Sequence, residues 1–251
     1  MLYIVGLGLY DEKDITLGGL EVLKKCSKIY AEFYTNLWHG SIKNLEALAG
    51  NEIKILDRRA LEEKPDELLN HAKTGDVALL IPGDPMAATT HIDVVLRAEK
   101  LGINVKIIHS SSIFSAVGET GIQLYKFGKT TSIVFPEKNY FPESPYDAIR
   151  DNLKMDLHTM CLLDVKYDEN RYMTVNDGID ILLQIEDKRG GQVFTKKTLC
   201  LGCARLGGDE TIKFGTAGEL MKHDFGAQPH VLIVPAKLHF VEEEALLRFR
   251  I

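Results

Sequence analysis

The sequence predicts an α/β protein of two domains, the first with a five-stranded parallel sheet and the second with a mixed sheet, separated by a ligand cleft. Over residues 1–115, five short strand patterns alternate with helical patterns, which is typical of a parallel sheet covered on both faces. One strand pattern, Val77–Ile81, is aliphatic throughout, as expected of a strand buried on both faces. Over residues 116–251 the strand patterns have longer, hairpin-like spacing, which favours a mixed sheet. We therefore expect domains 1–115 and 116–251, with a small ligand bound between them.

The elements of the first domain follow from apolar periodicity and turn residues. Leu17, Leu20 and Leu23 have helical spacing, and three later helical patterns end at a glycine. The predicted strands are 2–5, 28–34, 52–56, 77–81 and 105–108, and the predicted helices are 16–27, 41–49, 65–73 and 91–100.

The second domain contains one long amphipathic helical pattern, 175–186, with apolar residues at 179, 182, 183 and 185. A stretch rich in proline and aromatic residues, 139–145, is expected to be a connection. The predicted strands are 132–135, 158–163, 198–204, 211–214 and 231–234, and the other predicted helices are 148–152 and 216–222.

The composition is that of a soluble globular protein with a substantial core. Of the 251 residues, 45% are hydrophobic and 26% are charged. The net charge of -6 gives no general attraction to nucleic acid or to an anionic membrane. The apolar runs are far shorter than the ~20 residues of a membrane span, and the N-terminus reads as a first strand and not as a signal peptide. We expect a cytoplasmic protein of enzyme size.

The first strand runs into a Gly-x-Gly turn at Gly6 and Gly8, which begins a dinucleotide-binding fingerprint. The third glycine of that fingerprint is replaced by Asp11, and Glu12 and Asp14 follow closely. Carboxylates at this position would repel a pyrophosphate. The turn therefore predicts a small ligand of little negative charge that approaches the backbone.

Two further strand ends carry turn chemistry. The central strand ends at Pro82-Gly83-Asp84, which places one carboxylate where ligands bind in open α/β sheets. Asp84 is equally compatible with capping a helix that begins near Thr89. The fifth strand leads into a serine run, in which Ser112 either contributes to a site or caps the next helix.

The cysteines and histidines do not predict a metal centre. Cys200 and Cys203 lie three residues apart in a predicted strand, so their thiols would point to opposite faces, and we expect buried structural cysteines. Four histidines lie at predicted element ends (His91, His109, His158 and His230), without metal-ligand spacing. His230 is equally compatible with a satisfied surface histidine. No nucleophile motif is present, so the sequence names no catalytic residue.

Taken together, these motifs resemble the diphthine synthase branch of the tetrapyrrole-methylase-like (class III) S-adenosylmethionine methyltransferases. The Gly-x-Gly and Gly-Asp-Pro motifs indicate only the wider superfamily, whereas the blocks 84–91 and 123–128 are typical of this branch. The resemblance covers essentially the whole chain in order, at residues 6–12, 14–16, 82–91, 109–113, 115–116, 123–128, 163–166, 204–207 and 229–231.

The resemblance implies a homodimer that holds S-adenosylmethionine between its domains and releases S-adenosylhomocysteine. It implies methylation of the amino group of the 3-carboxy-3-aminopropyl-histidine of translation elongation factor 2, to the trimethylated product diphthine, in diphthamide biosynthesis. It also implies that eight residues contact the donor, namely Leu9, Asp84, Ala87, Ser112, Ile113, Leu163, Leu206 and His230.

Two other functions remain open at this stage. A related methylase acting on a corrinoid precursor or on ribosomal RNA would share the same turns, although the negative charge argues against RNA. A nicotinamide-dependent oxidoreductase is disfavoured by Asp11 in place of the third glycine.

Overall fold

The computed structural model describes residues 1–251, which form two compact units, Met1–Phe114 and Ser115–Ile251. Each unit has its own five-stranded sheet. No helix in the chain has both the length and the hydropathy of a transmembrane segment.

The first unit is built on the predicted parallel sheet. Its strands lie in the order β3-β2-β4-β1-β5, and every neighbouring pair is parallel. Because β1 lies between β4 and β5, the carboxyl ends of these three strands are neighbours at one edge. The strands are β1 (Leu2–Gly6), β2 (Lys28–Ala31), β3 (Ile53–Ile55), β4 (Val77–Ile81) and β5 (Val105–Ile108).

Strand β4 is the centre of this unit, and all five of its residues have an exposed fraction of 0%. Val77, Leu79 and Ile81 pack into one apolar cluster, whereas Ala78 and Leu80 pack into another. This alternation is what a strand covered on both faces requires, and it explains why the sequence pattern of β4 is continuous and not alternating.

Two helices of the first unit begin at side-chain caps. The hydroxyls of Thr16 and Ser41 accept hydrogen bonds from the third residues of α1 and α2. A single π-helical turn, Arg59–Glu63, was not predicted. The helices are α1 (Leu17–Leu23), α2 (Ile42–Ala49), α3 (Asp66–Thr74) and α4 (Ile92–Lys100), and a short α5 (Ile113–Ala116) follows β5.

Strand β2 ends three residues before its predicted end at residue 34. The Glu32 carboxylate accepts a hydrogen bond from the backbone N–H of Thr35, at 3.1 Å, and another from the Thr35 hydroxyl. This local turn draws the chain out of the strand direction. Helix α1 is also shorter than predicted, because residues 24–27 form a turn that hydrogen-bonds to Asp76.

The second unit has the predicted mixed sheet, in the order β11-β10-β12-β7-β6. Only the β6–β7 pair is parallel. Its strands are β6 (Thr131–Ile133), β7 (Thr159–Leu163), β10 (Leu199–Ala204), β11 (Thr211–Thr216) and β12 (His230–Val234), and a separate hairpin is formed by β8 (Val165–Lys166) and β9 (Arg171–Tyr172).

Four helices belong to this unit: α6 (Ser144–Lys154), α7 (Val175–Arg189), α8 (Ala217–Leu220) and α9 (Phe240–Leu246). Helix α6 begins four residues before its predicted start at 148, because Pro145 lies in its first turn, where proline needs no N–H partner. Helix α9 was not predicted.

Helix α9 is anchored by a buried pair, since the side chains of His158 and Glu242 both have an exposed fraction of 0%. The His158 Nδ1 atom accepts a hydrogen bond from the backbone N–H of Ala236 at 2.9 Å, so Nε2 carries the proton and donates to Glu242 at 3.0 Å. Burial lowers the pKa of His158, and the carboxylate of Glu242 opposes that shift.

A second buried carboxylate, Glu186, organises the chain after α7. It accepts hydrogen bonds from three consecutive backbone N–H groups, those of residues 192–194, at 2.6–2.8 Å, and from the Tyr146 hydroxyl at 2.9 Å. Burial raises the pKa of Glu186, but these four donors outweigh it and hold the pKa below its usual value.

All four cysteines are buried and unpaired. Cys200 and Cys203 lie in β10, as the sequence predicts. Burial raises the pKa of the Cys26 thiol to about 11 and that of Cys161 to about 12. Thiols held in this form are poor nucleophiles and poor metal ligands.

We predict that stability falls as the pH is lowered from 8 to 5.5. Burial depresses the pKa of both His158 and His230, so below about pH 6.5 the unfolded chain binds protons that the folded chain does not. Each histidine can contribute up to about 1.4 kcal/mol per pH unit. Urea unfolding midpoints across this range measure the effect, and His230→Gln should reduce the slope. Unchanged midpoints between pH 8 and 5.5 would contradict the prediction.

Candidate functional site

Backbone bonds join the turns that follow β1 and β4. The N–H of Gly8 donates to the carbonyl of Gly83 at 3.2 Å, and the N–H of Gly83 donates to the carbonyl of Gly8 at 2.8 Å. Both glycines have positive φ, 82° at Gly8 and 74° at Gly83, a conformation that side-chain-bearing residues rarely adopt. The two turns therefore form one rigid backbone platform at the carboxyl edge of the sheet.

Gly6 lies where three loops approach one another. A Cβ atom at this position would come within 2.6 Å of the Gly83 carbonyl oxygen, 2.8 Å of Ser110 Cβ and 3.0 Å of Pro85 Cδ. Only glycine permits this approach of the loops that follow β1, β4 and β5.

The acidic residues after the glycine turn are used to hold the backbone. Asp14 accepts from the N–H of Tyr10 at 2.7 Å, and Asp11 accepts from that of Lys13 at 2.8 Å. Glu12 accepts from the Ser41 backbone and the Asn44 amide, which lower the pKa of Glu12. The turn is thus rigid and negatively charged, which is unfavourable for a pyrophosphate.

Asp84 ties the β4 loop to the β5 loop. One carboxylate oxygen accepts from the backbone N–H of Met86 at 2.9 Å. The other lies 3.1 Å from the N–H of Ser110 and 2.8 Å from Nδ1 of His109. The alternative in which Asp84 caps a helix near Thr89 is wrong, because α4 begins at Ile92 and no side chain caps it.

The five predicted donor contacts of the first unit lie at the carboxyl edge of its sheet. Leu9 follows the β1 turn, and the N–H of Ala87 donates to the Asp84 carbonyl within the β4 loop. Ser112, which is buried, and Ile113 follow β5. The fold therefore brings these five residues to three adjacent loops.

The three predicted contacts of the second unit also share one edge of their sheet. His230 is the first residue of β12, where it pairs with Ala204 at the end of β10. Leu206 follows β10, and Leu163 ends β7, beside the start of β12.

His230 is buried, so the reading of it as a surface histidine is wrong. Its Nδ1 atom accepts a hydrogen bond from the backbone N–H of Val175 at 3.3 Å, and Nε2 lies 3.1 Å from the carbonyl oxygen of Ala227. The neutral tautomer with a proton on Nε2 satisfies both contacts. Burial lowers the pKa of His230, which keeps the ring uncharged.

One group of polar residues was missed by the sequence reading. Glu32 and His91 are buried against each other, with a carboxylate oxygen 3.3 Å from Nε2. His91 was noted only as a histidine at the start of a predicted helix and as the last residue of the block 84–91. A lone glutamate between Ala31 and Phe33, at the end of an apolar strand, was the available signal. No group of three or more acidic, histidine or cysteine side chains in the chain could hold a metal ion.

The chain matches the sequence model of the tetrapyrrole (corrin/porphyrin) methylases over residues 1–220. It is 51% identical to the diphthine synthase of Methanococcus aeolicus over 248 residues, which cover 98% of this chain and 96% of that protein. It is 49% identical to the diphthine synthase of Methanocaldococcus jannaschii over 250 residues, with 98% and 97% coverage.

Two solved structures similar to this chain are also described as diphthine synthases. A crystal structure from Entamoeba histolytica, provisionally described as a diphthine synthase, has a TM-score of 0.93 and 40% identity, and covers 100% of this chain and 98% of that chain. Another crystal structure of a diphthine synthase has a TM-score of 0.90 and 37% identity, with 99% and 95% coverage.

We predict that Gly6→Ala destabilises the chain by about 1–3 kcal/mol, because the added methyl group has no space among the three loops. Gly18→Ala is the matched control, since a Cβ at Gly18 meets no atom within 4 Å, and it should change stability by no more than about 1 kcal/mol. Urea unfolding of both variants makes the comparison. Equal midpoints for the two would show that the loops can move apart without cost.

Proposed function

Because the chain belongs to the diphthine synthase branch of the tetrapyrrole methylases, we propose that it methylates the modified histidine of translation elongation factor 2. It is a methyltransferase, and its methyl donor in this proposal is S-adenosylmethionine. The acceptor is the amino group of the 3-carboxy-3-aminopropyl arm, and the product is the trimethylated residue, diphthine. The observation that carries the proposal is the match to diphthine synthases at about 50% identity over the full length.

The proposed donor contacts are the eight residues Leu9, Asp84, Ala87, Ser112, Ile113, Leu163, Leu206 and His230. The joined turns of the first unit fit such a donor, because a platform of glycine backbone lets a ligand approach the main chain closely. The negative charge of Asp11, Glu12 and Asp14, which follow the glycine turn, suits an adenosyl ligand without phosphates. In the second unit, Leu163 and Leu206 offer apolar contact, and neutral His230 adds no charge.

Asp84 has a further role in the proposal. A carboxylate offers about four acceptor sites, and three contacts within the two loops are accounted for. Its side chain is 13% exposed, so it is accessible to a ligand at this edge. We assign to Asp84 a hydrogen bond to the donor ribose or an electrostatic attraction to its positive charge.

Methyl transfer mainly requires that the donor methyl group and the acceptor amine are aligned. The donor supplies a methyl group already activated on its sulfonium, so the residues of the chain have only to orient donor and amine and exclude water. Fixing two reactants in line can supply up to about 7–11 kcal/mol of barrier lowering. The amine attacks in its neutral form, so the ammonium form of the acceptor must lose a proton before each transfer.

Two further parts of the proposal concern partners. The protein substrate is elongation factor 2 and not a nucleic acid, in keeping with the net charge of -6. A homodimer is expected from the family resemblance, and light scattering after gel filtration would measure the oligomeric state.

We predict that the purified chain binds S-adenosylmethionine and S-adenosylhomocysteine but not NADH in calorimetric titrations. It should then transfer tritiated methyl groups to elongation factor 2 that carries the 3-carboxy-3-aminopropyl arm, and not to the unmodified factor. Methyl transfer to a corrinoid precursor or ribosomal RNA instead would replace the acceptor but keep the enzyme class. Binding of NADH alone would overturn the proposal.

We predict that Asp84→Asn weakens S-adenosylhomocysteine binding about 10- to 100-fold, since a hydrogen bond to a charged group contributes roughly 1.5–3 kcal/mol. Asparagine keeps one acceptor for the loop but loses the charge. His109→Gln is the control, because it removes only the exposed partner of Asp84. Equal losses in both variants would assign the effect to loop stability and not to a donor contact.

A further inference from the structure

The first unit contains a cavity of about 220 Å³ that none of the eight proposed donor contacts lines. We name it the Tyr34–His91 cavity, and it is lined by Tyr34, Leu61, Glu62, Thr90, His91, Asp93 and Val94. Tyr34 follows β2, and Thr90 and His91 lie at the end of the loop that begins with Asp84. Since β2 and β4 are neighbours in the sheet, the cavity lies at the same carboxyl edge as the joined glycine turns.

Three buried polar atoms around this cavity have no hydrogen-bond partner. The Tyr34 hydroxyl and both ring nitrogens of His91 are buried without one. The carboxylate of Glu32 lies 3.3 Å from Nε2 of His91, but the contact lacks hydrogen-bond geometry. Buried polar atoms are nearly always paired, so three unpaired atoms on two residues that line one cavity indicate a missing polar ligand.

The charges around the cavity favour a ligand with a positive end. Glu32 is completely buried and hydrogen-bonds only to Thr35. Glu62 forms no ion pair; it accepts a hydrogen bond from the Thr90 hydroxyl at 3.3 Å and lies near the Tyr34 hydroxyl. Asp93 is neutralised by Arg97 at 2.6 Å. Burial, with Glu32 and Glu62 nearby, raises the pKa of Tyr34, which keeps its hydroxyl protonated.

A cation lies over the ring of Tyr34. The guanidinium carbon of Arg58 is 5.2 Å from the centre of the Tyr34 ring, and Arg58 forms no ion pair. The next residue, Arg59, is instead paired with Glu63 at 3.5 Å. Arg58 is thus an unpaired guanidinium in contact with a residue that lines the cavity, although it does not line the cavity itself. Guanidinium groups bind carboxylates in a fork-like geometry.

We propose that the Tyr34–His91 cavity binds the zwitterionic α-amino acid end of the acceptor, with its amine at His91, Glu32 and Tyr34 and its carboxylate at Arg58. Both ends of such a group find a complementary partner here. A ring nitrogen of His91 can form a hydrogen bond with the amine, and Glu32 balances the positive charge that the nitrogen of the acceptor carries before deprotonation and after each transfer.

The size of the cavity agrees with this ligand class. Its volume of about 220 Å³ is several times the ~30 Å³ of one water molecule and smaller than the ~300–1,000 Å³ of pockets for drug-sized ligands. It therefore suits a group of a few heavy atoms and not a whole nucleoside. The inference rests on the proposed function for the identity of the acceptor, but not for the presence of an amino-acid site.

Steady-state kinetics with modified elongation factor 2 tests the assignment through three variants, Tyr34→Phe, Arg58→Gln and His91→Gln. Arg58→Gln and His91→Gln should each lower kcat/KM for the acceptor about 10- to 100-fold, through a higher KM, and Tyr34→Phe should lower it less. The Kd of S-adenosylhomocysteine should stay within twofold in all three variants. Arg59→Gln is the matched control for Arg58→Gln and should leave the kinetics unchanged. Tyr34→Phe removes a hydroxyl that has no partner, so it should not impair folding.

Two outcomes would overturn the inference. Unchanged acceptor kinetics in all three variants would leave the cavity without a role in acceptor binding. A parallel loss of S-adenosylhomocysteine affinity would assign the cavity to the amino-acid end of the donor.

A direct probe separates this inference from the proposed function. In NMR spectra of the full chain labelled at histidine, L-2-aminobutyrate should shift the ring signals of His91, identified by their loss in His91→Gln. Butylamine and butyrate, which each lack one charged end, should bind at least tenfold more weakly. A response to L-2-aminobutyrate without activity on elongation factor 2 would refute the proposed acceptor and keep the amino-acid site. Activity on the factor without any response would refute the site.

Discussion

The reciprocal backbone pairing of Gly8 with Gly83 is the constraint on which the candidate site of the first unit depends. It fixes the loops after β1 and β4 to each other without using any side chain. Asp84 then extends the tie to the β5 loop through the N–H of Ser110. Three separate chain segments thereby become one surface held together largely by backbone groups, and such a surface is organised before any ligand binds.

The strands of the first unit could be predicted because their physical cause is local in sequence. A strand covered on both faces must be apolar at every position, and β4 is. The ends of β2 and α6 were misjudged because they depend on single contacts, the turn made by Glu32 and the proline in the first turn of α6. Helix α9 escaped prediction because a carboxylate, Glu242, occupies its buried side, where a pattern reading expects an apolar residue.

The candidate site was predictable to a similar extent. The turns at Gly6, Gly8 and Asp84 could be recognised from residue type and position relative to a strand, and the fold brings them together. The partners of Asp84 could not, because Ser110 and His109 lie about 25 residues away and approach it only through strand order. The Tyr34–His91 cavity was invisible for the same reason: unpaired atoms are a property of packing, and no sequence pattern encodes a missing partner.

The buried cysteines have a consequence for how the molecule responds to damage. Cys26 lies in the first unit, whereas the other three lie in the second. With their thiols protonated and shielded, they are protected from oxidants and alkylating reagents for as long as each unit stays closed. Modification at Cys26 would then record an opening of the first unit alone, and modification at the remaining three an opening of the second. The position of a modified cysteine thus identifies which of the two units has opened locally.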